Sequence, residues 1–298
     1  MANVTDWTLV RSFLEVLRRG SLSAAARATG LTQPTIGRHI ELFEQSLGAS
    51  LFTRSASGLI PTEAARSLQA HAEAMEASMA ALVRAAEMGG DAETPRGTVR
   101  ITASEVMGTA VLPDMLAEIR FTYPEIVFEL ALNNRTDDLL RRDADIAVRM
   151  VRPTQEGLVA KKIGETPLKL YAHRRHLDRF GIPGSVEALM KSHLIGFDRD
   201  DHSARAVADG VLPITRDLFR FRCDNDAAQM AALNAGLGIG VMQTALARRN
   251  PDLIEVLADK IGFKLDVWLA VHANQKDQPA IRAVFNELAD RLRAFIGH

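Results

Sequence analysis

The stretch Gly89-Gly90-Asp91-Ala92-Glu93-Thr94-Pro95-Arg96-Gly97 divides this chain into two parts with different patterns. Its glycines and proline cannot continue a helix, and the charges among them favour solvent, so a domain boundary falls here. Upstream, residues 1 to about 60 read as helices broken at Gly20, Gly30 and Gly48, and residues 63–88 form one uninterrupted Ala-rich segment. Downstream, short strands alternate with helices, which predicts an α/β domain with a largely parallel sheet. The expected divisions are therefore 1–62, 63–90 and 91–298. At 298 residues, 47% hydrophobic and 24% charged, the chain has room for two or more cores and the composition of an ordinary globular protein. Cys223 is the single cysteine, which rules out an intramolecular disulfide and a zinc site built on several thiolates, and fits a reducing compartment. The start MANVTDWTLV has neither the basic nor the apolar region of an export signal, so the expectation is a cytoplasmic protein without a membrane partner.

Within the first part, Ser23 is placed to cap a helix over residues 24–29, and Gly30 supplies the left-handed stop. Thr32 then caps a second helix, with Pro34 in its first turn, where a missing N–H costs nothing. Ile36, Ile40, Phe43 and Leu47 recur at helical spacing and predict a buried stripe. The other side carries Gln33, Thr35, Arg38 and His39 near the helix N-terminus, where such groups can donate to base edges or phosphates. Two amphipathic helices with a glycine turn are also a common structural pair. The continuation of the chain favours the DNA reading: Leu51-Phe52-Thr53-Arg54 and Ser55-Ala56-Ser57-Gly58-Leu59-Ile60-Pro61-Thr62 read as a wing, with Arg54 set to neutralise a phosphate. The candidate DNA-binding set is thus Ser23, Thr32, Gln33, Pro34, Thr35, Arg38, His39 and Arg54. Local charge is a weak footprint, since Arg11, Arg18, Arg19, Arg27, Arg38 and Arg54 face Asp6, Glu15, Glu41 and Glu44. In the Ala-rich segment, Leu68, Ala72, Met75, Met79, Leu82 and Ala86 alternate in steps of four and three, the seam of a coiled coil that needs a partner.

The stretch GSLSAAARATGLTQPTIGRHIELFEQSLGASLFTRSASGLIPTEAA closely resembles the N-terminal signature of the LysR family of bacterial transcriptional regulators. Gly37 and Leu42 stand where that family usually carries a serine and a basic residue. The resemblance implies an N-terminal all-α winged helix-turn-helix plus linker helix, followed by a two-lobed α/β effector domain similar to type 2 periplasmic binding proteins. It also implies a homodimer or tetramer that binds double-stranded promoter DNA and a small-molecule inducer, and leaves RNA polymerase open as a further partner. An approximately palindromic operator comes with paired recognition helices. The rival is a small-molecule-binding or processing protein with an accessory helical domain. It is opposed by the closeness of the first 65 residues to the LysR pattern.

In the second part, Val99, Ile101 and Ala103 alternate with Arg100 and Thr102, predicting a strand that feeds a helix from about Met107 to Thr122. Ser104, Glu105 and Val106 then lie at the strand's carboxyl end, where open α/β sheets bind ligands. Strands over 126–132 and 145–148 deliver Asn133, Asn134, Arg135 and Thr136, and then Arg149 and Met150, to the same edge. Thr166–His173 opens a second lobe and Lys264–His272 returns, so lobe I covers about 97–165 and 273–298 and lobe II about 166–272, with a cleft between them. The LysR resemblance continues here through GTVRIT, VLP, YPEI, ADIAVR and AGLGIGV, and it places the cleft contacts on Ser104, Glu105, Asn134, Thr136, Arg149, Phe197, Asn225 and Asp226. Plainer roles stay open for three of them. Arg149 can pair with a carboxylate such as Asp145, Ser104 can cap its helix, and Glu105 can complement a helix N-terminus. Facing the cleft, Glu105 calls for an inducer with a hydroxyl, amide or amine to donate, and Arg149 for a carboxylate.

Three other patterns carry less. Gly236-Leu237-Gly238-Ile239-Gly240 follows a helix and precedes a strand, the reverse of a dinucleotide fingerprint, and reads as a helix stop. Asp198, Asp200, Asp201 and His202 read as a solvated loop rather than a metal site. His173 and His176 flank two arginines at what looks like an exposed helix start. With no nucleophile elbow, Ser/His/Asp arrangement or phosphate loop, the expectation is a protein without catalytic residues, cofactor or metal.

Overall fold

Glycine stops and side-chain caps set the first three helices. The computed structural model describes residues 6–55, 58–87, 94–134, 144–155, 157–199, 215–258 and 261–297. It forms two compact units, Met1–Val83 in one and Arg84–Leu139 with Ala144–His298 in the other. In the first unit, α1 (Trp7–Arg19), α2 (Leu22–Thr29) and α3 (Gln33–Leu47) each end at a left-handed glycine, Gly20, Gly30 and Gly48. Only a residue without Cβ adopts that conformation freely. Strands β1 (Phe52–Ser55) and β2 (Gly58–Pro61) then form an antiparallel hairpin, the wing, so this unit is not wholly helical. Helix α4 (Glu63–Glu87) comes next.

The stripe of α3 is buried at Ile36, Ile40 and Phe43, and Phe13 of α1 sits fully enclosed with its ring 5.5 Å from Phe43 and 5.8 Å from Phe52. Glu44 holds the hairpin to α3, because its Oε1 accepts the N–H groups of Leu51 (2.6 Å) and Phe52 (3.2 Å). Leu68 and Ala72 also join this core, so the first two positions of the expected coiled-coil seam are spent within the chain. The next three, Met75, Met79 and Leu82, remain exposed at 47%, 41% and 64%. Arg18 fastens α4 to α1 through two bonds to Glu76, at 3.1 and 2.6 Å.

The second unit opens with β3 (Gly97–Ala103), a π-helical turn (Met107–Val111), α5 (Leu112–Thr122), β4 (Ile126–Leu132) and β5 (Ile146–Arg149). It continues through β6 (Leu158–His173), α6 (Arg174–Phe180), α7 (Val186–Met190), β7 (Leu194–Gly196) and β8 (Phe219–Arg222). The last elements are α8 (Asp226–Asn234), β9 (Ile239–Gln243), α9 (Thr244–Ala247), β10 (Leu253–Glu255), β11 (Gly262–His272) and α10 (Pro279–Gly297). Among the described residues one nine-stranded sheet runs β4-β3-β5-β11-β6-β9-β7-β8, with β10 on β6.

This sheet differs from the sequence expectation in three ways. It is mixed rather than largely parallel, because β11 runs antiparallel to β5 and β6, and β6 antiparallel to β9 and β10. The first lobe crossing is not a strand opening at Thr166 but one long strand from Leu158. On β11, Gly262–Val267 pair with the later half of β6 and Trp268–His272 with its earlier half, the register shifting between Val267 and Trp268. The lobes thus share two continuous strands with a bulge at the crossing. Lastly, the helix expected from Met107 begins as a π turn, a wider winding that hydrophobic spacing does not reveal.

Apolar packing spans both halves, since Met107, Val111 and Ile281 belong to the same core as Tyr171, Leu233, Met242 and Leu246. On α10 the buried Ile281, Val284, Leu288 and Leu292 recur at helical spacing, each contributing about 1.5–3 kcal/mol by leaving water. Gly236 takes the left-handed conformation after α8, and a Cβ on Gly238 would stand 2.3 Å from the His193 carbonyl oxygen, so this glycine-rich run is a helix stop and a close backbone approach.

Candidate functional site

The α2–α3 pair builds its outer face from short polar links. Ser21, not Ser23, caps α2, its Oγ accepting the Ala24 N–H at 3.2 Å. The helix starts earlier than expected, which frees Ser23 to donate to Gln33 Oε1 at 2.8 Å. That bond engages the acceptor of the Gln33 amide and leaves its two N–H groups to offer. Thr32 caps α3 by accepting from Thr35 N–H at 3.3 Å, and the two hydroxyls share a bond of 2.8 Å. Pro34 and Arg38 are exposed on the same helix. His39 departs from this face: its Nδ1 lies 2.7 Å from Ser12 Oγ, a side chain buried in α1. The imidazole therefore buttresses α3 against α1 with one ring nitrogen.

The hairpin carries Arg54 exposed on β1 opposite Leu59. Its returning strand is tied near the turn to the end of α1, because Leu59 N–H donates to the Gly20 carbonyl at 2.8 Å. Charge is distributed unevenly over this unit. Arg18 and Arg19 are engaged by Glu15 and Glu76, whereas Arg27, Arg38 and Arg54 have no ion-pair partner among the described residues.

In the second unit, Ser104, Glu105 and Asn134 follow the carboxyl ends of β3 and β4, while Asn225 and Asp226 open α8 in the other half. Asn225 caps α8 by accepting from Ala228 N–H at 2.8 Å. Glu105 Oε2 accepts the backbone N–H of Asp226 at 2.8 Å, so this carboxylate is already engaged at the start of α8. Ser104 accepts the Gly108 N–H through its carbonyl at 2.8 Å. Phe197 is half-buried and packs edge-on against Phe219, with ring centroids 5.5 Å apart. Thr136 and Arg135 lie outside the described residues.

Arg149 is buried and donates to Thr102 Oγ1 at 2.9 Å. Asp145 does not serve it. That carboxylate instead takes Arg84 Nε at 3.3 Å, Arg100 N–H at 2.8 Å and Gln275 Nε2 at 3.3 Å. Sequence reasoning also missed Gln243, whose Nε2 sits 3.7 Å from Met107 Sδ. Its Oε1 and the Thr166 hydroxyl are buried on neighbouring strands without a partner among the described residues, a cost of about 1–3 kcal/mol each that ordinary cores avoid. No local pattern marks either residue, because burial is decided by strands far apart in sequence.

His173 caps α6, while His176 is buried with Nδ1 3.3 Å from the Gly236 carbonyl oxygen, not exposed as expected. Asp198 pairs with Arg216 at 2.7 Å; Asp200, Asp201 and His202 lie outside the described residues. Among the described residues, no group of three or more His, Cys, Asp or Glu side chains is arranged to hold a metal ion, and no helix is long and apolar enough to cross a membrane.

Residues 7–66 match the family described as bacterial regulatory helix-turn-helix protein, lysR family, and residues 92–293 match the LysR substrate binding domain. The chain is similar to an HTH-type transcriptional regulator of Xanthomonas campestris pv. campestris, 26% identical over 289 residues, covering 94% of this chain and 83% of the relative. It is also similar to the HTH-type transcriptional regulator CrgA of Neisseria meningitidis serogroup C, 27% identical over 268 residues and 89% of each chain. Among solved structures, CbnR, a LysR family transcriptional regulator, aligns with a TM-score of 0.65 at 20% identity over 96% of this chain and 99% of its own. Full-length AphB, the Vibrio cholerae virulence activator, aligns with a TM-score of 0.62 at 23% identity over the same shares. At these identities the structural likenesses speak to fold alone, and they match the winged helix-turn-helix followed by a two-lobed α/β domain. Since the two family matches together account for most of its length, the chain belongs to the LysR family of transcriptional regulators.

Proposed function

We propose that this regulator reads promoter DNA with Gln33, Thr35 and Arg38 of α3 and with Arg54 of the wing, while Ser23, Thr32, Pro34 and His39 shape and brace that surface. One observation carries the assignment. The cations of the first unit that lack an acidic partner among the described residues include Arg38 and Arg54, whereas Arg18 and Arg19 are paired with Glu76 and Glu15. A guanidinium left unpaired on an exposed helix face is available to a phosphate or a guanine edge. CbnR, which this chain resembles in fold, was solved in complex with its target DNA, and that likeness supports a DNA-binding role.

The exposed Met75, Met79 and Leu82 support pairing of two copies through α4, and with it a two-fold operator. In the second unit, the convergence of Ser104, Glu105, Asn134, Asn225 and Asp226 from both halves of the sheet supports an effector site there, with Arg149, Thr136 and Phe197 as further members. Division at 1–62, 63–90 and 91–298, a cytoplasmic setting and the absence of catalysis belong to the same reading. The test is a footprint on the DNA flanking the protein's own gene. Arg38→Ala should lose the footprint and lower the salt slope of binding by roughly one, with unchanged thermal stability. An Arg38→Ala protein that protects the same DNA equally at every salt concentration would overturn the assignment.

A further inference from the structure

Three hydrogen bonds close a ring across the two halves of the effector sheet. Glu105 N–H donates to Asn134 Oδ1 at 2.9 Å, Asn134 Nδ2 donates to Asp226 Oδ2 at 2.9 Å, and Asp226 N–H donates to Glu105 Oε2 at 2.8 Å. The first two residues stand at the ends of β3 and β4, and the third begins α8, which packs on β6, β7 and β9. A second strap lies alongside. Arg249, just beyond α9, donates through Nη1 to the Ala110 carbonyl at 2.8 Å and to Asp114 Oδ2 at 3.1 Å. Both straps grip one short element, residues 105–114, which contains the π turn.

The position of these bonds decides what they can do. A buried polar link would be permanent, because breaking it strands desolvated groups. Here Asn134 is exposed and Glu105 and Asp226 are half-buried, so water can replace each bond as it opens. Glu105 adds a carboxylate to a helix N-terminus, a charge-assisted bond stronger than an ordinary one and still reversible. We propose that the Glu105–Asn134–Asp226 ring is a clasp that holds the lobes of the unliganded effector domain closed, and that its opening gates the cleft. This rests on the reading of that cleft as the effector site. It gives Glu105, in the unliganded state, a restraint on the lobes beside its place in the effector site.

The test measures interlobe distance within one protomer of the full-length protein without DNA or effector, doubly labelled chains being diluted into an excess of unlabelled ones. With Cys223→Ser removing the native thiol, spin labels go on Arg120→Cys in α5 and Glu187→Cys in α7, both exposed and on opposite lobes. The parent should give one narrow distance distribution. Glu105→Ala should raise the ratio of a longer-distance population to the closed one by about tenfold or more, as expected for loss of one charge-assisted bond. Asn134→Ala should act in the same direction, and Glu105→Gln, which keeps an acceptor without the charge, should fall between. An unchanged distribution in both alanine variants, or a parent already split between short and long distances, overturns the clasp. Neither result decides whether the cleft takes an effector, which a thermal-shift screen of metabolites on the parent reads independently, so failure of the clasp and failure of the effector-site reading are separately visible.

Discussion

Asparagine in place of Asp145 isolates a buried charge, and the structure sets the size of the effect. Asp145 is 1% exposed and Arg84, in the last turn of α4, 7% exposed, with Nε and Oδ2 3.3 Å apart. An amide can still accept the Arg100 N–H, but it cannot compensate the guanidinium. Removing one partner of a buried ion pair typically costs about 3–5 kcal/mol, because the surviving charge stays desolvated. For a unit of this size, each kcal/mol moves the melting temperature by about 2–4 °C, so Asp145→Asn should lower the transition of the effector unit by roughly 6–20 °C. The assay is thermal or urea unfolding of the full chain for Asp145→Asn, Arg84→Met and the double variant. Adding Arg84→Met removes the stranded charge, so the double variant should be about 1–3 kcal/mol more stable than the sum of the singles. A cost below about 1 kcal/mol for Asp145→Asn, or strict additivity, would refute the idea that this pair rivets the end of α4 to β3 and β5.

Single residues carry two more expectations. Burial lowers the His176 imidazole below its ordinary value of 6.5, as does the nearby His193, against a smaller opposing effect of the Gly236 carbonyl. The unfolded chain therefore takes up this proton first as pH falls, so stability present above about 6.5 is lost progressively below it. Melting curves between pH 8 and roughly 5 should show that decline in the parent and a shallower one in His176→Gln; parallel declines would sink the assignment. In the wing, Gly58 has φ +124° and a Cβ there would lie 2.6 Å from the Gly20 carbonyl oxygen. Gly58→Ala should weaken DNA binding and destabilise the first unit by about 1–3 kcal/mol, and wild-type behaviour in denaturation and gel-shift assays would show that the turn end of the hairpin is not held as described.

Much of the first unit was legible because its determinants are local. Left-handed glycines, the Thr32 cap and the Ile36–Phe43 stripe act over a few residues, and a sequence displays such spacings directly. Even there, the cap expected at Ser23 falls to Ser21, because the helix starts two residues earlier and leaves Ser23 to bond Gln33. In the second unit the strand over 126–132 and the glycine stop at Gly236 were equally readable. What the sequence alone determined is therefore the helix-turn-helix, the family and the polar residues that directly follow β3 and β4.

Which of those polar residues meet was decided by tertiary structure. Asp145 turned to Arg84 and Gln275 rather than to Arg149, across separations of 61 and 130 residues. Glu105 found the N-terminus of α8, 121 residues away, and Gln243 the sulfur of Met107, 136 residues away. The lobe crossing behaves the same way, since the strand expected over 166–173 is the later half of β6, whose earlier part pairs with β11. A side chain's local context sets its donors, acceptors and charge. Which partner it takes depends on what burial brings within about 3 Å, and that distance has no counterpart in sequence spacing.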